Sequence, residues 1–549
     1  MSHPLRVAIL WHQHQPYYRK DDEFVLPWVR LHGIKDYFDL PALHWEYPTL
    51  RLTYNIVPSL LLQLKEYKDG IKDSIQRLTE IPAMELTPSD KREIIQQFFL
   101  CNLETMVFPY PRFNQLYHIA VKGNALQEYT IQDWLDLQVL YNLTWIGELS
   151  RREPIIKILL QKGSNYTEGD KKILISRQRL IMNSIVPIMK ELQSAGLAEL
   201  SVTPLHHPIM PLLIDSDSAL EATPDILLPK HRYTRLDDAD YQLQRGQLVY
   251  EQNFDVAAKG VWCSEGSVSE PTLRLLAERG VQWTATDEQV LINTKREHYN
   301  TTDKYFPHVV HTNYGKTITV YFRDHELSDA IGFVYQKWNA VDAVNDFMNK
   351  LQSIREQIIN EVGEDALQQA VVPVILDGEN CWEYYQDNGI HFLQELYARL
   401  STEQLITTIT FNDATQQIPP NYTYTLDGIC AGSWIYGNFK IWIGDEEKNT
   451  AWDALAKARK LIESRRVTRK QWQESMEHIY IAEGSDWFWW YGNDHNADTR
   501  YMFDELFRYH LRCVYELYEE EIPAILKKPI MKNPHNTSAM SAMHRVSES

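Results

Sequence analysis

Paired cysteines, excess basic charge and long apolar runs are all missing from this 549-residue chain, and each absence narrows what it can be. The five cysteines (Cys101, Cys263, Cys381, Cys430, Cys513) are odd in number and never fall in a Cys-x-x-Cys pair. That pattern argues against a disulfide framework or a zinc knuckle and fits a reducing cytoplasm. Lys and Arg number 55 against 74 Asp and Glu, a formal net charge of −19. Nucleic acid, anionic membranes and polyanionic substrates are therefore poor partners, whereas a neutral ligand is not excluded. No stretch approaches the roughly 20 apolar residues of a membrane span. Neither a basic leader nor a cleavage site precedes the first strand. A soluble, cytoplasmic protein of two or three domains is expected, with no membrane partner.

What the chain has instead is aromatic surface. Sixteen Trp and 31 Tyr exceed the needs of core packing, and the run Asp486-Trp-Phe-Trp-Trp-Tyr-Gly492 resists complete burial. An indole or phenol offers a flat apolar face with a polar edge. The C–H face of a sugar can stack there while its hydroxyls find hydrogen bonds. The most informative segment comes first: the apolar run Val7-Ala-Ile-Leu10 reads as a buried parallel strand, and it leads into Trp11-His-Gln-His-Gln-Pro16. Side chains alternate along a strand, so His12 and His14 share a face, and Pro16 ends the ladder. Two imidazoles at the C-terminal end of a first strand stand where α/β folds place their sites. They suit either a metal or a substrate.

Further strand-like runs follow at 52–56, 198–202, 260–263, 281–285, 317–322, 371–376 and 405–411. Pro58 opens a helix through Leu64, and residues 80–197 turn helical, with i, i+3, i+4 apolar spacing over 90–103, 131–150 and 177–193. Seven or eight βα units with a helical insertion indicate a closed or nearly closed parallel barrel. Beyond residue 411 strands fade, and helices are expected over 449–464, 466–483 and 498–520. The organisation reads as a catalytic barrel over 1–411 with its insertion at 80–197, a helical region over 412–530 and a mobile tail over 531–549. In that tail Asn536-Thr-Ser reads as a chance glycosylation triplet.

Four strands finish in functional residues: Gly260-Val-Trp-Cys-Ser-Glu265, Trp283-Thr-Ala-Thr-Asp287-Glu288, Val320-Tyr-Phe-Arg323-Asp324-His325-Glu326 and Val371-Val-Pro-Val-Ile-Leu-Asp377. Any one acidic strand end is as well explained by a solvated cap. Together with the histidine pair they converge on one mouth of a parallel barrel. Two carboxylates there can divide acid, base and nucleophile roles, which is what glycoside hydrolysis requires. Arg323 is placed to keep one carboxylate ionised, and His12 and His14 to bind sugar hydroxyls. A divalent-metal hydrolase competes, with His206 and His207 as further ligands, although the chain has no helical His-Glu-x-x-His.

These residues resemble glycoside hydrolase family 57, an α-glucan-active group of amylases, amylopullulanases, 4-α-glucanotransferases and branching enzymes. The resemblance rests on WHQHQPYY (11–18), TPLHHPIMPLL (203–213), GVWCSEGSVSE (260–270), ATDEQVL (285–291), FRDHELSD (322–329), ILDGENCWEYY (375–385) and AGSWIYGNFKIWIG (431–444). They stand in the family's order over about 430 residues. It implies an incomplete (β/α)7 parallel barrel with a C-terminal helical bundle. Glu265 is then expected as nucleophile and Asp377 as general acid/base in a retaining double displacement, with no metal and no cofactor. His12, His14, His207 and Trp434 are implied in substrate contact. So are Trp487 and its neighbours through Trp490, and with them Trp262, Arg323, Asp324 and Trp382 from the matching segments. Cys263 departs from the proline that relatives often carry near this position, which bears on the local strand end rather than on Glu265. The expected substrate is a starch- or glycogen-like α-glucan or a maltooligosaccharide. FRDHELSD and GSWIYGNFKIWIG look most like the amylase and amylopullulanase branch, so hydrolysis of α-1,4 bonds, with α-1,6 a further candidate, is favoured over transfer. A non-catalytic glucan-binding protein is the third reading.

Overall fold

The computed structural model describes residues 3–312, 315–379, 381–419, 421–496, 499–532 and 544–545; most of the expected tail, with Asn536, lies outside them. Seven parallel strands form one sheet: β1 (Leu5–Gln13), β2 (Leu52–Ile56), β3 (Ala198–Val202), β4 (Gly260–Val261), β5 (Trp283–Asp287), β6 (Thr317–Arg323) and β7 (Val371–Asp377). Their order is β7-β1-β2-β3-β4-β5-β6. Apart from the strand ends and Glu199 their residues are almost all buried, as expected of a parallel sheet covered by helices. The runs at 52–56 and 198–202 are strands over their full expected length.

The ring stops short of closing between β6 and β7, and Pro373 shows why. Its carbonyl accepts from the Asp324 amide at 2.9 Å, so this side of the residue faces β6, where proline has no N–H to offer. Two residues on, side chains do the work of a ladder: Arg323 Nε donates to the Ile375 carbonyl at 2.7 Å, and the Ile375 amide to Ser328 Oγ at 3.1 Å. The result is an incomplete (β/α)7 barrel whose seam is sealed largely by polar side chains. The eighth candidate, 405–411, shrinks to Ile406–Thr408, paired only with Leu5–Val7 of β1. Thr410 cuts it off by capping the helix Phe411–Gln417, accepting from the Asp413 amide.

The insertion between β2 and β3 is helical as expected, with different breaks. Helix α1 (Ile131–Thr144) ends at Trp145 instead of continuing to 150, and α2 (Glu168–Ser194) is longer than expected. Both start on capping boxes, Thr130 with Asp133 and Thr167 with Asp170. The expected helix at 90–103 is Pro88–Gln97, followed by a separate wide turn at Leu103–Val107. After the barrel come α3 (Glu446–Ser464), α4 (Arg469–Ala482), the short α5 (Ser485–Trp489) and α6 (Arg500–Leu517). Helices α3, α4 and α6 pack on one another. Helix α5 reaches the barrel mouth, where the Ser485 amide donates to the His207 carbonyl at 2.9 Å. No helix among the described residues is long and apolar enough to cross a membrane.

Candidate active site

Strand register brings the expected residues to one rim. His12 pairs across with Asp377 on one side and Asn55 on the other, and Arg323 pairs with Asp287. All stand at or near the C-terminal ends of their strands. They open onto a cavity of about 440 Å³ whose walls include His12, His14, His207, Glu265, Arg323, Asp377 and Trp434.

A polar ladder runs beneath it. His12 Nδ1 lies 2.7 Å from Asn55 Oδ1, Asn55 Nδ2 donates to Ser201 Oγ at 3.0 Å, and Thr203 Oγ1 donates to the Trp262 carbonyl at 2.8 Å. An amide oxygen only accepts, so His12 carries its proton on Nδ1 and keeps Nε2 as an acceptor. Burial, then the neighbouring His14, holds His12 down at about 3 despite the Asn55 bond. Burial, then His14 and His12, holds His207 well below the ordinary imidazole range. Both are neutral at physiological pH. The rings of His14 and His207 stack with centroids 3.7 Å apart.

Glu265 follows β4 in a tight turn, Ser264–Gly266, with φ 57° and ψ 25°. His207 also has positive φ, at 58°. Left-handed backbone at a non-glycine residue costs roughly 1–2 kcal/mol. That strain persists only where surrounding contacts enforce it, and here the segment 432–434 does so. Val268 and Gly432 exchange two backbone hydrogen bonds of 2.9 and 3.0 Å, and the Trp434 amide donates to the Glu265 carbonyl at 3.0 Å. Trp434 Nε1 then donates to Glu265 Oε2 at 2.8 Å. The other carboxylate oxygen lies 3.8 Å from His207 Nδ1. Burial, then the charge of Asp377, pushes Glu265 up to about 8, against the Trp434 hydrogen bond.

Arg323 lies behind Trp434, its guanidinium 5.4 Å from the indole centroid. It is ion-paired with Asp287 at 3.1 Å and with Asp329. Hydrogen bonds to Asp287 and Asp329 push His325 up to about 10. Burial would raise Asp329, but the His325 hydrogen bond and the Arg323 charge hold it at about 2. Asp287, expected as one of four acidic strand ends, is thus a buried counter-ion and does not line the cavity.

Four expected substrate contacts are packed away from the cavity. Trp487 is 2% exposed and gives its indole N–H to the Ile481 carbonyl at 2.6 Å; Trp489 and Trp490 line the wall in its place. Trp382 donates to the Gly378 carbonyl at 2.9 Å and packs on Trp11. Asp324 caps the short helix His325–Asp329 and accepts from the Tyr305 hydroxyl at 2.9 Å. Trp262 is fully buried against His12 and Trp434. The adjacent pair His206 and His207 splits: His206 faces Glu477 at 3.4 Å and the ring of Tyr17, so the two do not share a ligand set.

Two further carboxyl groups enter the cavity that had been given no role there, although both lie in the segments quoted above. Glu379 lines it, buried, and burial followed by the Asp377 charge raises it well above the carboxylate range. Asp486 lies 2.8 Å from His14 Nε2. Its one signal was an acid heading an aromatic run. Among the described residues, the one group with metal-ligand spacing is His14, His207 and Asp486. Chemically the arrangement offers several carboxyl groups, among them Glu265 and Asp377, with neutral imidazole acceptors and aromatic walls.

Residues 8–427 match the family model described as glycosyl hydrolase family 57. Among solved structures, the chain is similar to a GH57-type branching enzyme from the hyperthermophilic archaeon Pyrococcus horikoshii, at 15% identity and TM-score 0.57, covering 97% of this chain and 98% of that one. It is also similar to a novel α-amylase from Thermotoga maritima, at 13% identity and TM-score 0.56, covering 94% and 93%. A 4-α-glucanotransferase from Thermococcus litoralis follows at 13% identity and TM-score 0.51, covering 93% of this chain and 60% of that one. At these identities the likeness is one of fold. No curated protein sequence matches the chain.

Proposed function

The chain belongs to glycosyl hydrolase family 57, and from that premise we propose that it cleaves α-1,4-glucosidic bonds by a retaining double displacement. The observation that carries the proposal is that Glu265 and Asp377, 112 residues apart in sequence (377 − 265), open into one aromatic-walled cavity. Substrates would be starch- or glycogen-like polymers and maltooligosaccharides, with α-1,6 bonds at branch points a second target. The similar structures are those of a branching enzyme, an α-amylase and a 4-α-glucanotransferase. Transfer through the same glycosyl-enzyme is thus the second reading.

In the proposed cycle Glu265 attacks the anomeric carbon while Asp377 protonates the departing glucosidic oxygen; Asp377 then deprotonates the water that releases the sugar. Glu265 must be ionised and Asp377 protonated at the first step. Burial opposes ionisation of Glu265, and the Asp377 charge opposes it further. The Trp434 N–H favours ionisation, because a hydrogen bond to the charged form stabilises that form. His12 Nε2 would accept a sugar hydroxyl, and Trp489 and Trp490 supply faces for neighbouring glucose rings.

The test uses an α-glucosyl substrate with an activated leaving group and added azide. Glu265→Ala and Asp377→Ala should both lose turnover. Azide in the vacated Glu265 position should yield the β-azide. Azide intercepting the glycosyl-enzyme of Asp377→Ala should yield the α-azide. Reversed products would exchange the two roles, and normal turnover in either variant would remove it from the mechanism. Products from maltoheptaose and pullulan distinguish hydrolysis, transfer and debranching.

A further inference from the structure

Three residues from distant segments meet at the cavity floor with the chemistry of a metal site. One ligand atom each from His14, His207 and Asp486 lies within 4.8 Å of the other two. His14 follows β1, His207 follows β3 and Asp486 opens α5, so tertiary packing alone assembles them. His14 Nε2 and Asp486 Oδ1 are 2.8 Å apart. The remaining nitrogens, His14 Nδ1 and His207 Nε2, are buried and have no hydrogen-bond partner. His207 is only 1% exposed and lines the cavity, so an unsatisfied nitrogen there calls for a ligand.

The surroundings prepare His207 to be one. Its Nδ1 lies 2.9 Å from Ser485 Oγ, which can accept a hydrogen bond from Nδ1–H and leave Nε2 with a free lone pair. Such outer partners fix the tautomer of metal-bound imidazoles.

We propose that His14, His207 and Asp486 bind one zinc ion at the floor of the cavity, in competition with the glucosyl unit. Two imidazoles with one carboxylate select zinc-like ions over calcium or magnesium and leave a fourth position open. Zinc bonds of about 2.0–2.2 Å place tetrahedral ligand atoms roughly 3.4 Å apart, between the 2.8 Å of the His14–Asp486 contact and the 4.8 Å outer limit. Binding therefore replaces the His14–Asp486 hydrogen bond and fans the two rings apart, from planes now 19° from parallel. The competition, unlike the metal site, rests on the proposed reading of the cavity as a sugar subsite. On that reading zinc inhibits and is not required for turnover.

The experiment titrates the full-length, chelator-treated protein with zinc by calorimetry and with cobalt by visible absorption. One equivalent should bind, with the intense d–d bands of low-coordinate cobalt. His14→Ala and Asp486→Asn, each checked by circular dichroism for native structure, should weaken binding at least tenfold. His231→Ala, an exposed histidine elsewhere, should not. Absence of stoichiometric binding, or binding unmoved in both variants, would overturn the site. Saturating maltoheptaose should weaken zinc binding, and zinc should raise KM without lowering kcat. Zinc bound at these residues but indifferent to maltoheptaose would keep the metal site and overturn the competition. The azide experiment is independent of either result.

Discussion

Trp434→Phe isolates one hydrogen bond. The substitution keeps a ring beneath Arg323 and the backbone bond to the Glu265 carbonyl, but removes the N–H that meets Oε2 at 2.8 Å. A hydrogen bond to a charged group contributes roughly 1.5–3 kcal/mol, and about 1.4 kcal/mol corresponds to one pH unit. Losing it stabilises the protonated carboxyl, so Glu265, now at about 8, should rise by roughly one to two pH units. At pH 7 its ionised fraction would then fall about 10- to 100-fold, and kcat/KM with it. The same loss should shrink above pH 9, because raising the pH restores the ionised form. The charged and titratable groups facing Glu265 are Asp377, Asp486 and His207, and the substitution leaves all three in place. The assay is kcat/KM against pH for an aryl maltooligoside. A uniform loss, with the acid limb unmoved, would refute the reasoning and return Trp434 to a stacking role alone.

Glu265→Gln should stabilise the fold while abolishing turnover. Wild-type and variant should melt together near pH 4, since Glu265 is then protonated folded and unfolded. Between its ordinary 4.5 and about 8 the unfolded state ionises first, so wild-type stability falls as pH rises. By pH 7 the difference should reach roughly 3 kcal/mol, or roughly 2–3 °C in Tm for a chain of this length, and calorimetry across pH checks it. Arg323→Met should destabilise by about 3 kcal/mol: it leaves the buried Asp287 and its neighbour Asp329 with His325 as their remaining cation and removes the side chain that seals the seam at Ile375. Chemical denaturation should show the midpoint shift, and an unchanged midpoint would count against the seam. In Gly432→Ala the new Cβ would lie 2.5 Å from the Gly437 carbonyl oxygen, forcing the segment that pins Glu265 to move. Because a 1 Å misplacement can cost about 100-fold in rate, activity should fall by at least tenfold, with far less change in Tm.

The barrel was legible because its strands are buried on both faces and so read as unbroken apolar runs, such as Val7 to Leu10 and Val371 to Leu376. Strand ends were legible for a related reason: the apolar run stops where the chain reaches the mouth, and Glu265, Asp377 and Arg323 stand there. Helix limits were less so, because a cap such as Thr130 or Thr410 ends or starts an element locally whatever the periodicity around it. Phase within the aromatic run 487–490 depended on how α5 docks. Trp487 turned to the core and Trp489 to the cavity, although the run itself distinguishes none of its indoles.

What the sequence by itself determined is the set of chemical parts: acidic strand ends, an imidazole pair, an aromatic run and the order of the barrel strands. What only the tertiary structure decided is which parts touch. Trp434 finds Glu265 across 169 positions and Asp486 finds His14 across 472. Contacts at such separations are set by the closure of the sheet and the docking of α5, and no local pattern encodes them. The acidity of Glu265 was equally out of reach. It comes from burial and from the nearness of Asp377, which exist only once the strands have converged.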